Sequence, residues 1–260
     1  MRLHFVISRY THHPEGCFHP TGSILSNLRD VLHLDTPARF AWQIELLEYL
    51  IIPSMVKLIA IVGASGVGKT ALVSALARAR AEYSEIEAFE TAYEQHAERP
   101  FQTLFKNDTR YALANQIDYF LLRAEQEKSL RAAPRIGLID GGLDLDFYGF
   151  TCLFHRRGLL TDPEFDLCRR VYEFIRQSLP PPELIIRLCT DESTVADRLS
   201  TRDRINIASA EDTALFNSFL DQWLEAIPSD QKLELDVSKE TLGYEKSISL
   251  ILDRMQTLHQ

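Results

Sequence analysis

Gly63-Ala64-Ser65-Gly66-Val67-Gly68-Lys69-Thr70 follows directly on the apolar run Leu58-Ile59-Ala60-Ile61-Val62 and precedes a helical pattern from Ala71 to Ala81. The spacing G-x-x-x-x-G-K-[S/T] is that of a phosphate-binding loop. Its glycines let backbone N–H groups turn toward phosphate oxygens, its lysine reaches the β- and γ-phosphates, and the hydroxyl of Thr70 can hold Mg²⁺. The following helix adds its positive N-terminal end to the same anion. A strand before the loop and a helix after it make a nucleotide phosphate the expected ligand, with Gly63, Ala64, Ser65, Gly66, Val67, Gly68, Lys69 and Thr70 as its cradle.

The whole chain sets outer bounds. Its 260 residues and 29.8 kDa suit one α/β domain with a large core and a short appendage. A net charge of −9 and a pI near 5.4 disfavour nucleic acid and anionic membrane as partners, because both would be repelled. Four cysteines, Cys17, Cys152, Cys168 and Cys189, form no C-x-x-C pair and no zinc spacing, so free thiols in a cytoplasmic protein are expected. No apolar run approaches the roughly 18 residues that span a bilayer.

Residues 1–54 differ from the rest. They hold five of the eight histidines, at positions 4, 12, 13, 19 and 33, and show little pattern until Phe40, Ile44, Leu47 and Ile51 recur at helical spacing. His12, His13, Cys17 and His19 match no standard metal site. Met55 stands just before the first strand, so the expectation is a loosely ordered extension or a mis-assigned start over 1–54 and a phosphate-loop domain over 55–260.

From Lys57 onward strand and helix signals alternate, which predicts βα units and a parallel sheet. The expected strands are Leu58–Val62, Ile86–Phe89, Ile136–Ile139, Leu184–Leu188 and Leu233–Val237, each short and apolar as doubly covered strands should be. Helices are expected near 70–81, 109–128, 163–178, 192–199, 212–226 and 244–258. In the second of these, Leu113, Ile117, Leu121 and Ala124 form one stripe and predict a core-facing side.

Ligands of an open α/β sheet bind beyond the carboxyl ends of its strands, which singles out acids at strand ends. Asp140, after Ile136-Gly137-Leu138-Ile139, fits the apolar-strand-plus-Asp pattern that holds Mg²⁺; as a turn residue before Gly141-Gly142 it would do no chemistry. Glu90, after Ile86-Glu87-Ala88-Phe89, could accept the proton of an attacking hydroxyl. Arg198, Arg202 and Arg204 cluster after the fourth strand and its helix, where converging guanidinium groups could stabilise a transferring phosphoryl group.

Taken together, these residues resemble the deoxynucleoside kinases, in particular the deoxyadenosine/deoxyguanosine branch of the thymidine-kinase-like family. The resemblance rests on Gly63–Thr70, Glu90, Glu98-Arg99-Pro100-Phe101, Arg110-Tyr111-Ala112-Leu113-Ala114-Asn115-Gln116, Gly158-Leu159, 179–185, the arginine cluster and Leu233–Val237. It covers Lys57 to about Leu252. It implies a five-stranded parallel sheet flanked by helices, an arginine-bearing lid, a homodimer in most members, and transfer of the γ-phosphoryl group of ATP to the 5′-hydroxyl of a deoxynucleoside. By position it implies Glu90 as general base, Gln116 as reader of the base edge and Asp146 as a second substrate contact.

The chain also departs from the family. Asp140-Gly141-Gly142 stands where the family carries Asp/Glu-Arg-Ser, so an arginine that stabilises the transferring phosphate is missing; such a group can be worth about 10³ to 10⁵ in rate. Phe105 replaces a tyrosine that contacts the sugar 3′-hydroxyl, Asn206-Ile207 replace acidic lid residues, and Glu94 lies near a usual tryptophan. Three functions therefore stay open: a kinase for a nucleoside or related acceptor; a nucleotide-binding, non-catalytic partner protein; and a kinase for a nucleoside monophosphate or other small molecule, or a simple NTPase.

Overall fold

The computed structural model describes residues 58–79, 89–93, 99–133, 135–191, 194–195, 212–241 and 243–258. Their strands are β1 (Leu58–Val62), β2 (Glu90–Ala92), β3 (Gly137–Asp140), β4 (Leu184–Cys189) and β5 (Lys232–Asp236). They form one sheet in the order β2-β3-β1-β4-β5, with every neighbouring pair parallel. The phosphate loop thus leaves the central strand, and Ile61 aligns with Asp140 on β3. The chain crosses from one side of β1 to the other after β3, which makes the carboxyl ends of β1 and β3 the crevice where such sheets bind ligands.

The described helices are α1 (Lys69–Ala79), α2 (Pro100–Asn107), α3 (Ala112–Ala132), α4 (Cys152–Arg156), α5 (Asp162–Ser178), α6 (Thr213–Glu225) and α7 (Glu245–Leu258). Strand residues alternate between two apolar layers. Ile59, Ile61, Leu138, Ile186 and Leu188 pack with α1 and α7 on one face, and Leu58, Ala60, Val62, Ile139 and Ile185 pack with α6 on the other. All five residues of β1 are buried, as a strand covered on both faces must be.

Two local devices fix the frame. Glu183 accepts the first N–H of β1, from Leu58 at 2.8 Å, while Arg131 donates to Glu183 at 2.7 Å and to the carbonyls of Pro180 and Pro181 at 2.9 and 2.8 Å. Helix α5 starts at Thr161, whose backbone N–H donates to Glu164 at 2.8 Å, completing a capping box that fixes where the helix begins.

The expected sheet is present, with three differences. The second strand runs through Glu90–Ala92, later than expected; of the predicted span, Phe89 is not in a strand and 86–88 lie outside the described residues. The stripe Leu113, Ile117, Leu121 and Ala124 marks the core side only in part: Leu113 and Ile117 pack against the cluster of Phe120, Phe147 and Phe154, whereas Leu121 is 54% exposed. Helix α3 instead buries Ala112, Gln116, Tyr119, Phe120, Arg123, Glu127 and Leu130, a polar-rich set that apolar periodicity overlooks. Helices α2 and α4 were not expected at all. The predicted helix 192–199 and the extension 1–54 fall almost wholly outside the described residues.

Candidate active site

The loop conformation follows from its glycines. Gly63 has φ +143°, and a Cβ there would stand 2.7 Å from the carbonyl oxygen of Leu188 on β4, so only glycine lets the loop lie this close to the sheet. The Lys69 ammonium bends back across the loop and donates to the carbonyls of Gly63 and Ala64, each at 3.0 Å. A cation is thereby held over the cradle at the N-terminus of α1, where the helix dipole also favours an anion.

Thr70 joins this loop to β3: its hydroxyl donates to Asp140 Oδ2. Asp140 is 1% exposed, and its Oδ1 has no hydrogen-bond partner. A buried carboxylate oxygen without a donor implies a cationic or protic ligand that completes it. One carboxylate and one hydroxyl are too few for a protein-built metal cage, and among the described residues no cluster of three or more His, Cys, Asp or Glu could hold a metal. They do match Mg²⁺, which takes one or two protein ligands and fills its octahedron with phosphate oxygens and water.

Beside Asp140 stands a group absent from the sequence-based expectations. Arg123 of α3 donates through Nη1 to the carbonyl of Asp140 at 3.0 Å and pairs through Nε with Asp146 at 2.9 Å; both side chains are about 5% exposed or less. Its Nη2 lies 3.1 Å from the point a Cβ would take at Gly141, where φ is +89°. An arginine from α3 therefore stands against Gly141, the position where the resemblance leads one to expect an arginine. Asp146 reaches it because Leu145–Thr151 is wound as a π-helix, pinned by Thr151, whose hydroxyl donates to the Asp146 carbonyl at 2.9 Å. Such segments are frequent at functional sites.

The turn after Asp140 is held from behind. Glu127, fully buried, accepts from the N–H of Leu143 at 3.1 Å and takes a two-pronged bond from Arg176 at 2.7 and 3.1 Å. Arg176 also donates to Asp144 at 2.9 Å, and the Tyr172 hydroxyl donates to the same oxygen at 2.7 Å. Two buried carboxylates thus share one arginine. Burial holds the Asp144 carboxyl above its ordinary pKa, against the opposing pull of Arg176.

Gln116 lies on the Arg123 side of α3, two turns nearer the helix N-terminus; it is 2% exposed and its Nε2 has no partner. Phe105 packs its ring against Phe154, centroids 5.1 Å apart, within the apolar cluster between α3 and α5. Glu90 sits lower in the sheet than a strand-end position. It opens β2 with an exposed side chain, and its backbone aligns with Gly137, the first residue of β3. At about 3.3 Å per residue that is about 10 Å below the level of Asp140. The misplacement follows from the strand boundary: the described strand runs on past Glu90 to Ala92, and the next acid in the chain, Glu94, is outside the described residues. Arg198, Arg202 and Arg204 are also outside them, so the lid expected of them is not described.

A central-strand phosphate loop, a Thr–Asp junction with an open carboxylate oxygen and a buried arginine on the facing helix define a P-loop phosphotransferase. A family model described as deoxynucleoside kinase matches residues 59–258, and the chain belongs to that family. It is accordingly a kinase, one that phosphorylates a nucleoside with ATP. No curated protein matches it by sequence. Among solved structures it is similar to deoxyadenosine kinase from M. mycoides with dCMP and dCDP bound, at 19% identity, TM-score 0.61, over 77% of this chain and 99% of that one. The same enzyme with dATP bound matches at 18% identity, TM-score 0.62, over 76% and 99%, and with dCTP bound at 18%, 0.61, over 77% and 99%. At that identity the likeness carries the fold.

Proposed function

We propose that the chain transfers the γ-phosphoryl group of ATP to the 5′-hydroxyl of a deoxynucleoside in the cytoplasm. Residues 63–70 cradle the phosphates, with Lys69 neutralising the terminal ones. Thr70 and Asp140 would hold Mg²⁺, whose charge would offset that of the phosphates. Arg123, paired with Asp146, faces the acceptor, and Gln116 offers its carboxamide to the base. The observation that carries this assignment is the buried Asp140 itself: one carboxylate oxygen bonded to the loop through Thr70, the other open, and its carbonyl held by Arg123. Catalysis then rests on positioning and charge, as phosphoryl transfer requires.

The test is ATP consumption screened against the natural deoxynucleosides, with Lys69→Ala as control. Turnover raised by a nucleoside in the wild type and not in the variant supports the assignment. No acceptor-dependent turnover, joined to a thermal shift with Mg-ATP alone, would instead make the chain a nucleotide-binding partner protein.

A homodimer is part of the proposal. Leu121 on α3 is 54% exposed, and Leu167 and Phe174 on α5 are 39% and 70% exposed. The two helices pack on a common core, so these large apolar groups lie on neighbouring elements, and such patches mark protein interfaces. Among the described residues no helix is long and apolar enough to cross a membrane.

A further inference from the structure

Asn115 precedes Gln116 on α3, and like it is 2% exposed with an unpartnered side-chain atom, here Oδ1. A buried amide with no partner destabilises the fold, since it loses water and gains nothing in return. Of the buried atoms left without partners, Asp140 Oδ1 and Gln116 Nε2 already belong to the proposed site. Asn115 Oδ1 is another unpartnered atom, as are Arg131 Nε, Arg187 Nε and Thr190 Oγ1, but of these it alone belongs to the residue next to Gln116, and no function described so far uses it.

Its place in the fold fits a ligand group. Helix α3 runs opposite to β3, so its N-terminal half rises beyond the carboxyl ends of the strands. Arg123 is level with Asp140. At 1.5 Å per residue, Gln116 and Asn115 stand about 10 to 12 Å further up. Neighbours on a helix are turned about 100° apart. Gln116 therefore shares the side of Arg123, while Asn115 falls on the side of Gln126, which donates to the Tyr93 carbonyl at 3.1 Å just after β2. On the helical wheel the two carboxamides flank Tyr119, Gln116 toward Arg123 and Asn115 toward Gln126. These two markers are themselves joined, Arg123 Nη1 donating to Gln126 Oε1 at 3.0 Å.

We propose that Asn115 is a second acceptor-binding carboxamide, which hydrogen-bonds the heterocyclic base on a different edge from Gln116. Each carboxamide carries both donors and an acceptor, so the pair selects a base with polar groups on two edges, as a purine has. The inference rests on the nucleoside-kinase reading. It also accounts for an asparagine where a leucine of similar size would leave no polar atom unpaired: the residue serves ligand binding at some expense of stability.

The experiment uses the full chain with Asn115→Leu, Asn115→Ala and Asn115→Asp. The leucine variant is expected to melt, without ligand, no lower than wild type. All three are expected to raise KM for the preferred deoxynucleoside, the leucine and alanine variants by at least about tenfold, as loss of a buried hydrogen bond implies. Turnover number and the thermal shift with Mg-ATP should stay near wild type. An active wild type with unchanged KM in the leucine and alanine variants overturns this proposal alone. Lower ligand-free melting in all three, with the Mg-ATP shift lost, assigns Asn115 to the fold and also overturns it. A wild type that neither turns over nor binds any deoxynucleoside overturns the nucleoside-kinase reading and this proposal with it.

Discussion

Arg123 and Gly141 share one space: the Nη2 of the arginine lies 3.1 Å from the position a Cβ at Gly141 would occupy. Restoring an arginine at Gly141 is therefore expected to fail. It would force φ +89° on a residue with a Cβ and bring two guanidinium groups together. Gly141→Arg should lower stability by about 1–3 kcal/mol from backbone strain, before the displacement of Arg123 is counted. Denaturant unfolding measures the loss, and a nucleoside-kinase assay should show no gain.

Glu90→Gln should leave turnover within about threefold of wild type. Glu90 aligns with the first residue of β3, and its side chain faces solvent. A general base contributes about 10² or more, so a fall of that size in steady-state turnover would return Glu90 to the mechanism.

Asp144 predicts a pH dependence. Burial holds its carboxyl above the unfolded value, so the folded state keeps a proton that the unfolded state has lost. That contribution is complete below the unfolded pKa and declines as pH rises through the higher, folded one. Asp144→Asn removes this decline. The melting temperature of the variant, relative to wild type, should therefore climb from acid toward neutral pH. A constant difference across that range would mean Asp144 has no raised pKa.

Leu121→Glu combined with Phe174→Glu should convert a dimer to a monomer in light scattering and make the melting temperature independent of protein concentration, with the monomer still folded. Both side chains are already exposed, and surface changes seldom exceed about 0.5 kcal/mol. A wild type that is monomeric at all concentrations would remove the proposed interface.

The phosphate loop could be read from the sequence because its chemistry is local: eight consecutive residues supply the turns, the cation and the hydroxyl. Asp140 was also legible, since an apolar strand ending in an acid is a short-range pattern. Arg123 was not. Alone in the chain it looks like one more charge on a solvated helix, and its partner Asp146 is brought to it by a π-helical turn that has no clear sequence signal. Leu121 misled for a related reason, since apolar periodicity places it with Leu113 and Ile117, which do pack on the core, and cannot say whether the core or another molecule covers each member of a stripe. β2 was misplaced because a three-residue edge strand owes its position to pairing with β3 more than to its own residues.

The place of β1 in the sheet has a consequence for how the chain assembles. Its two neighbours, β3 and β4, come from the later part of the chain, and its first N–H is held by Glu183, 125 positions on. Loop closures of that span are slow compared with local helix formation. The loop is thus made early by the ribosome and finished late: until Leu184–Cys189 has emerged, β1 has one flank unpaired and Gly63 has no Leu188 to lie against. Nucleotide binding should accordingly appear only near the end of synthesis, when most of the domain is already present, which makes a bound triphosphate a report on the completed sheet.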